Sequence, residues 1–133
     1  MDRAVEIMRD SKTIAVVGVA PDPAKPSYYV SEYLIDHGYT VYLVNPIEEG
    51  NEILGRTVYP SVASLPEPVD IVDIFRRPQF IPPVVEDAIA AGAGAVWMQL
   101  GIVNEEAAQQ ARDAGLEVVM DRCTKIEHAR IPR

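Results

Sequence analysis

Five short apolar runs constrain the fold of this sequence more than any other feature. They are Thr13–Val17, Thr40–Val44 and residues 69–75, 95–99 and 116–120. Most are rich in Val and Ile, and several are continuous rather than alternating. Strands of that kind are buried on both faces, the environment of a parallel sheet covered by helices. The third run contains Asp70 and Asp73 and reads as a strand nearer the sheet edge. Helical patterns fill the gaps. Residues 27–37 place Val30, Tyr33 and Leu34 on one face, with Gly38 as the stop. Pro82 or Pro83 opens a second helix that runs to Gly92, since the first turn needs no backbone N–H. Asn104 caps a third, with Ala107, Ala108, Ala111 and Ala114 inward and Gly115 at its end. A short helix at 2–9 precedes the first strand, and a helical turn lies near 61–65.

Strand alternating with helix means βαβ units, and right-handed crossovers then limit the topology. The expectation is an α/β, Rossmann-like three-layer sandwich with a five-stranded parallel sheet in the order 3-2-1-4-5. The 133 residues make a single domain, 1–133, with no internal repeat or linker. Hydrophobic residues form 48% of the chain, enough for a packed core.

Charge and cysteine usage exclude several classes of function. Twelve Lys and Arg against twenty Asp and Glu give a net charge of −8, which argues against a nucleic-acid binder. Local cations still suffice for a phosphorylated small molecule. The segment 122–133 holds Arg122, Lys125, Arg130 and Arg133, a basic tail on an acidic chain. One cysteine makes neither an internal disulfide nor a Cys-based zinc site, and no metal-ligand spacing occurs. The first residues lack the apolar run of a signal peptide, and no stretch is long enough to span a membrane. The expected compartment is the cytoplasm.

In an open parallel sheet, ligands bind beyond the carboxyl ends of the strands, where the strand order reverses. The first such loop is Gly18 to Ser27. Gly18 permits a turn and close approach, Lys25 supplies a cation, and Ser27 is placed to cap the next helix. The alternative is a proline-stiffened connection with a solvated lysine. Phe75-Arg76-Arg77-Pro78 leaves the third strand; arginine suits bidentate phosphate contacts and stacking on a flat base. The competing role is surface ion pairing with the many acids. Pro46 and Pro78 offer apolar walls for such a base. Gln99 ends the fourth strand as a neutral partner for an amide-bearing ligand, and Gly101 allows close approach.

An NAD(P)-binding oxidoreductase fits poorly. The dinucleotide glycine pattern would need glycines where Ala20 and Pro23 stand. The second strand ends in Asn45 rather than an acid that would bond an unmodified ribose, so a phosphorylated ribose is the better match. Catalytic candidates are thin. Cys123 with His128 is the one nucleophile pairing to weigh, and His37 suits the end of a helix.

Taken together the segments resemble a known family. They are Ile14 to Gly18, Pro21 to Tyr28, Val44-Asn45-Pro46, Leu54-Gly55 with Val58 to Ser61, Val69 to Pro78, Trp97 to Gly101, Asp121-Arg122-Cys123 and Lys125 to His128. In order and spacing they resemble the small CoA-binding domain proteins, similar to the CoA-binding domain of the succinyl-CoA synthetase alpha subunit. The resemblance implies a domain that binds coenzyme A or an acyl-CoA with no reaction of its own. It places Gly18, Val19, Ala20 and Lys25 at the phosphates. Asn45, Pro46, Phe75, Arg76 and Arg77 surround the adenosine, and Gln99 and Gly101 lie along the pantetheine arm. Two departures stand out. Val19-Ala20 replaces a more usual Ala-Ser, leaving only backbone for the phosphate. No counterpart of the synthetases' phosphorylated histidine is present, and His128 does not match it. The alternatives are the NAD(P) binder, an enzyme acting on CoA thioesters through Cys123 and His128, and an interaction module working as a homodimer.

Overall fold

The structure is a computed structural model that describes residues 1–132. Arg133, counted in the basic tail, lies outside the described residues. In chain order the elements are α1 (Arg3–Asp10), β1 (Thr13–Val17), α2 (Pro26–Asp36), β2 (Thr40–Val44), β3 (Glu52–Ile53), β4 (Arg56–Thr57), β5 (Ile71–Ile74), α3 (Ile81–Ala90), β6 (Ala95–Met98), α4 (Glu105–Asp113), β7 (Glu117–Val119) and α5 (Thr124–Ala129).

β2-β1-β5-β6-β7 form one parallel sheet in that order. Beyond β2, Tyr59 makes a single parallel bridge to Val44. Its N–H donates to the Leu43 carbonyl at 2.8 Å, and Asn45 N–H donates to the Tyr59 carbonyl at 2.9 Å. Pro60 follows and has no N–H to continue a ladder, so this strand stays rudimentary. Counted as the third strand, it gives the 3-2-1-4-5 pattern, with β7 as one more strand at the far edge. The run at 69–75 therefore takes the fourth place, beside β1, and all four residues of β5 are buried. The edge position expected from its aspartates is corrected: Asp73 is fully buried on hydrogen-bond partners, and Asp70 sits before the strand, accepting from the Lys12 and Thr13 N–H groups at 2.7 and 3.2 Å.

Successive residues of each strand feed opposite cores. Ile14 and Val16 pack with Met8, Leu34 and Trp97 under α1, α2 and α5. Ala15 and Val17 pack with Val72, Met98, Val85 and Ala108 under α3 and α4. The three layers follow from this alternation. Asn104 caps α4, its Oδ1 accepting from Ala107 N–H at 3.0 Å, and the turn near 61–65 is a short 3-10 helix, Val62–Ser64. Ala114 is exposed at the end of α4 rather than inward, because the helix closes on Gly115, whose φ is +89°. The β3–β4 hairpin had no sequence signal. Its turn, Leu54-Gly55, has φ of +53° and +73° without the Asn-Gly that usually marks such turns. From β1 the chain runs outward through β2 and Tyr59, then returns to β5. The order reverses between β1 and β5, and a crevice opens above their carboxyl ends.

Candidate functional site

The crevice begins at Gly18, which leaves β1 with φ +94°. A Cβ there would run into the Phe75 carbonyl and meet Arg76 Cδ at 3.1 Å. Close passage of the two strand exits therefore requires glycine. The loop beyond is pinned by Ser27, whose Oγ accepts from Ala20 N–H at 2.9 Å. Ser27 is not the cap of α2. The helix starts one residue earlier because Pro26 takes its first position, and Lys25 occupies the N-cap site with no side-chain cap bond. Val19 points into the core and is fully buried.

Asn45 is committed at both ends. Its Nδ2 donates to the Val19 carbonyl at 2.9 Å, and its Oδ1 accepts from Ile47 N–H at 3.1 Å. It ties the loop after β1 to the loop after β2, and lines neither of the two clefts below. Gly101, with φ +82°, donates its N–H to Asp121 Oδ1 at 2.6 Å and likewise lines neither.

Two clefts meet at Gly18 and Arg76. The larger is about 740 Å³ and runs over the carboxyl ends of β1, β5 and β6. Its walls include Ala20, Lys25, Ser27, Phe75, Arg77 and Gln99 from the expected set. Sequence reasoning missed Tyr29, Leu100, Ile102 and Ile126, and did not use Lys125 as a site residue. The exposed apolar character of Tyr29, Leu100 and Ile126 is the signal that only the folded surface reveals. The smaller cleft, about 250 Å³, lies between Pro46, Pro60, Phe80 and Val84.

Lys25, Arg76 and Arg77 form no ion pair among the described residues, despite the acidic chain. Arg76 lies over the Phe80 ring at 5.0 Å. Lys125 lies over the Tyr33 and Tyr29 rings, at 5.3 and 5.7 Å. The cleft thus has cations held at its rim and apolar walls within.

Beneath it is a polar network absent from the sequence reading. Gln99 Nε2 donates to Asp73 Oδ1 at 2.6 Å and meets Thr124 Oγ1 at 3.0 Å. Thr124 Oγ1 donates to Asp73 Oδ2 at 2.9 Å. Burial pushes the Asp73 carboxyl up to about 7, against the opposing pull of these two hydrogen bonds. The network joins the ends of β5 and β6 to the start of α5.

Cys123, half-buried, lines the larger cleft, whereas His128 lines neither. His128 Nδ1 is 2.8 Å from Tyr33 Oη, and its ring meets those of His37 and Tyr39 edge-on at 5.1 and 5.6 Å. The two histidines, distant in sequence, share one aromatic cluster between α2 and α5.

Comparison with known proteins gives the family of the chain. The protein YneT of Bacillus subtilis is 41% identical over 124 residues, 93% of this chain and 90% of YneT. A solved structure from Thermus thermophilus superposes with a TM-score of 0.92 at 39% identity, covering 98% of each chain. The alpha subunit of an ADP-forming acetate–CoA ligase from Pyrococcus furiosus is 30% identical across 87% of this chain, which spans 28% of that subunit. The family model described as the CoA binding domain matches residues 12–129, and the chain belongs to that family.

Proposed function

We propose that the protein binds coenzyme A or an acyl-CoA across the two joined clefts and catalyses no reaction of its own. In this reading the adenine lies in the smaller cleft between Pro46 and Phe80. Arg76 and Arg77 take the ribose phosphate, and Lys25 takes the diphosphate beside the Gly18–Ala20 loop, whose Gly18 and Ala20 N–H groups already donate to the Val44 carbonyl and to Ser27 Oγ. The pantetheine arm follows Gln99 through the larger cleft. Gly101 and Asn45 serve by shaping the loops.

The observation that carries this reading is the set of cations along the larger cleft, Lys25, Arg76 and Arg77, with Arg76 at its junction with the smaller one. Lys25, Arg76 and Arg77 stand together along one cleft without carboxylate partners among the described residues, an arrangement that suits an anion. Dinucleotide binding loses support because both ends of the Asn45 amide are already bonded within the protein. Catalysis through Cys123 and His128 loses support because only Cys123 lines the cleft. Calorimetry at matched salt tests the reading. CoA is expected to bind more tightly than NAD, NADP or ATP. NAD binding tenfold tighter than CoA, about 1.4 kcal/mol, would overturn it.

A further inference from the structure

We infer that Asp73, buried out of reach of the ligand, is a positioning residue that aims the Gln99 carbonyl oxygen into the larger cleft to accept an amide N–H. The inference rests on the CoA reading, since pantetheine carries two such amides.

The argument starts from what each atom is able to do. An ionised carboxylate only accepts hydrogen bonds, and an amide has one donating and one accepting end. Asp73 Oδ1 therefore takes the donating end of Gln99, its Nε2, at 2.6 Å. Thr124 Oγ1 donates to the other Asp73 oxygen and accepts from the same Nε2. The amide is fixed in one of its two orientations. Gln99 is only 4% exposed, yet its Oε1 has no hydrogen-bond partner among the described residues. Every fully buried side-chain nitrogen and oxygen among those residues does have one, so Oε1 opens onto the cleft that Gln99 lines. A nearly buried acceptor without a donor calls for a ligand N–H or O–H.

Asp73 carries no ion pair among the described residues. β1 and β6, on either side of β5, hold no titratable side chain. On this side of the sheet α5 carries Lys125, Glu127 and His128, α2 carries Tyr28, Tyr29, Glu32, Tyr33 and Asp36, α1 carries Arg3, Glu6, Arg9 and Asp10, and the nearby loops hold Arg76, Arg77, Asp121, Arg122 and Cys123. None of these sets its titration; burial does, opposed by Gln99 and Thr124. With the carboxyl near 7, protonation within the physiological range places a new donor among donors. Either the Gln99 amide turns or Thr124 releases it, and the aim is lost.

The test measures affinity against pH for CoA and for adenosine 3′,5′-bisphosphate, which keeps the adenosine, the 3′-phosphate and one 5′-phosphate but lacks the second 5′-phosphate and the pantetheine arm. Ionisation of Asp73 rises from about one-tenth at pH 6 to about nine-tenths at pH 8. Since loss of the Gln99 contact costs about three- to tenfold, CoA affinity is expected to rise about two- to fivefold over that range beyond any rise for the bisphosphate. Asp73→Asn removes this excess. Gln99→Met is the second variant: it is expected to weaken CoA about three- to tenfold and leave the bisphosphate unchanged. An unaltered excess pH dependence in a folded Asp73→Asn overturns the inference. If that variant does not fold, full CoA affinity in Gln99→Met overturns it. CoA binding with no excess pH dependence removes the inference alone, whereas no CoA binding at any pH removes the functional reading with it.

Discussion

At the scale of single residues, glycines with similar backbone angles do different work. Gly92 has φ +76° and open space where a Cβ would stand, so Gly92→Ala meets only the left-handed strain of about 1–2 kcal/mol. Gly18→Ala adds a collision with the Phe75 carbonyl and Arg76, and relief would require β1 and β5 to part at their ends. Urea titrations are expected to show Gly18→Ala costing about 2–4 kcal/mol, clearly more than Gly92→Ala. Equal losses would mean that the strand exits yield freely. The cations separate by ligand instead. Lys25→Ala and Arg76→Ala are each expected to weaken CoA by roughly 1.5–3 kcal/mol, read by calorimetry. A residue serving the ribose phosphate loses far less toward dephospho-CoA, and one serving the diphosphate loses equally toward both. As residues of the cleft, Lys25, Arg76 and Gln99 were legible because residue type and a place in the loops after strands mark them. Asp73 was not, because its partners Gln99 and Thr124 lie 26 and 51 residues away and only packing joins them.

At the scale of elements, the main-sheet strands were readable because burial on both faces leaves continuous apolar runs, and their order was harder. The third strand has shrunk to one bridge at Tyr59, too short for any pattern, so the run at 69–75 took its number. The helix starts turned on single residues: Pro26 moved α2 forward by one, while Asn104 marked α4 correctly. Asn104 also fastens two elements at once. Its Oδ1 caps α4 and its Nδ2 donates to the Pro78 carbonyl at 2.9 Å, in the turn that carries Arg77 toward α3. Asn104→Ala is expected to cost about 1–2 kcal/mol in thermal or urea unfolding. Asn104→Asp keeps the cap and removes the donor to Pro78. It is expected to recover most of that stability, and a loss equal to that of alanine would assign the effect to the Pro78 bond.

At the scale of the whole molecule, folding and binding place opposite demands on Asp73. Its carboxyl is raised from an ordinary 3.8 to about 7 in the folded chain. The folded state therefore binds the proton more tightly than the unfolded state between about pH 4 and 7, and the slope of stability with pH is negative there. The contribution is fully present below the unfolded value and is lost as pH rises through the folded one. Binding, by contrast, favours the ionised form that aims Gln99. Linkage is reciprocal, so bound CoA must draw the carboxyl back down. Urea titrations of the wild type and Asp73→Asn from pH 8 to pH 5 separate these effects, since the other acids of this chain of net charge −8 are common to both. Without ligand, the wild type is expected to gain stability relative to the variant as pH falls, by at most about 1.4 kcal/mol per pH unit. With CoA at a hundredfold excess over its dissociation constant, both proteins gain about 2.7 kcal/mol at pH 8 if the variant is given the same multiple. The wild type's relative gain toward acid then shrinks, because the ligand holds Asp73 ionised. An acid gain that is equally steep with and without CoA would show that the carboxyl titrates without regard to the site, and the opposition between folding and binding would not exist.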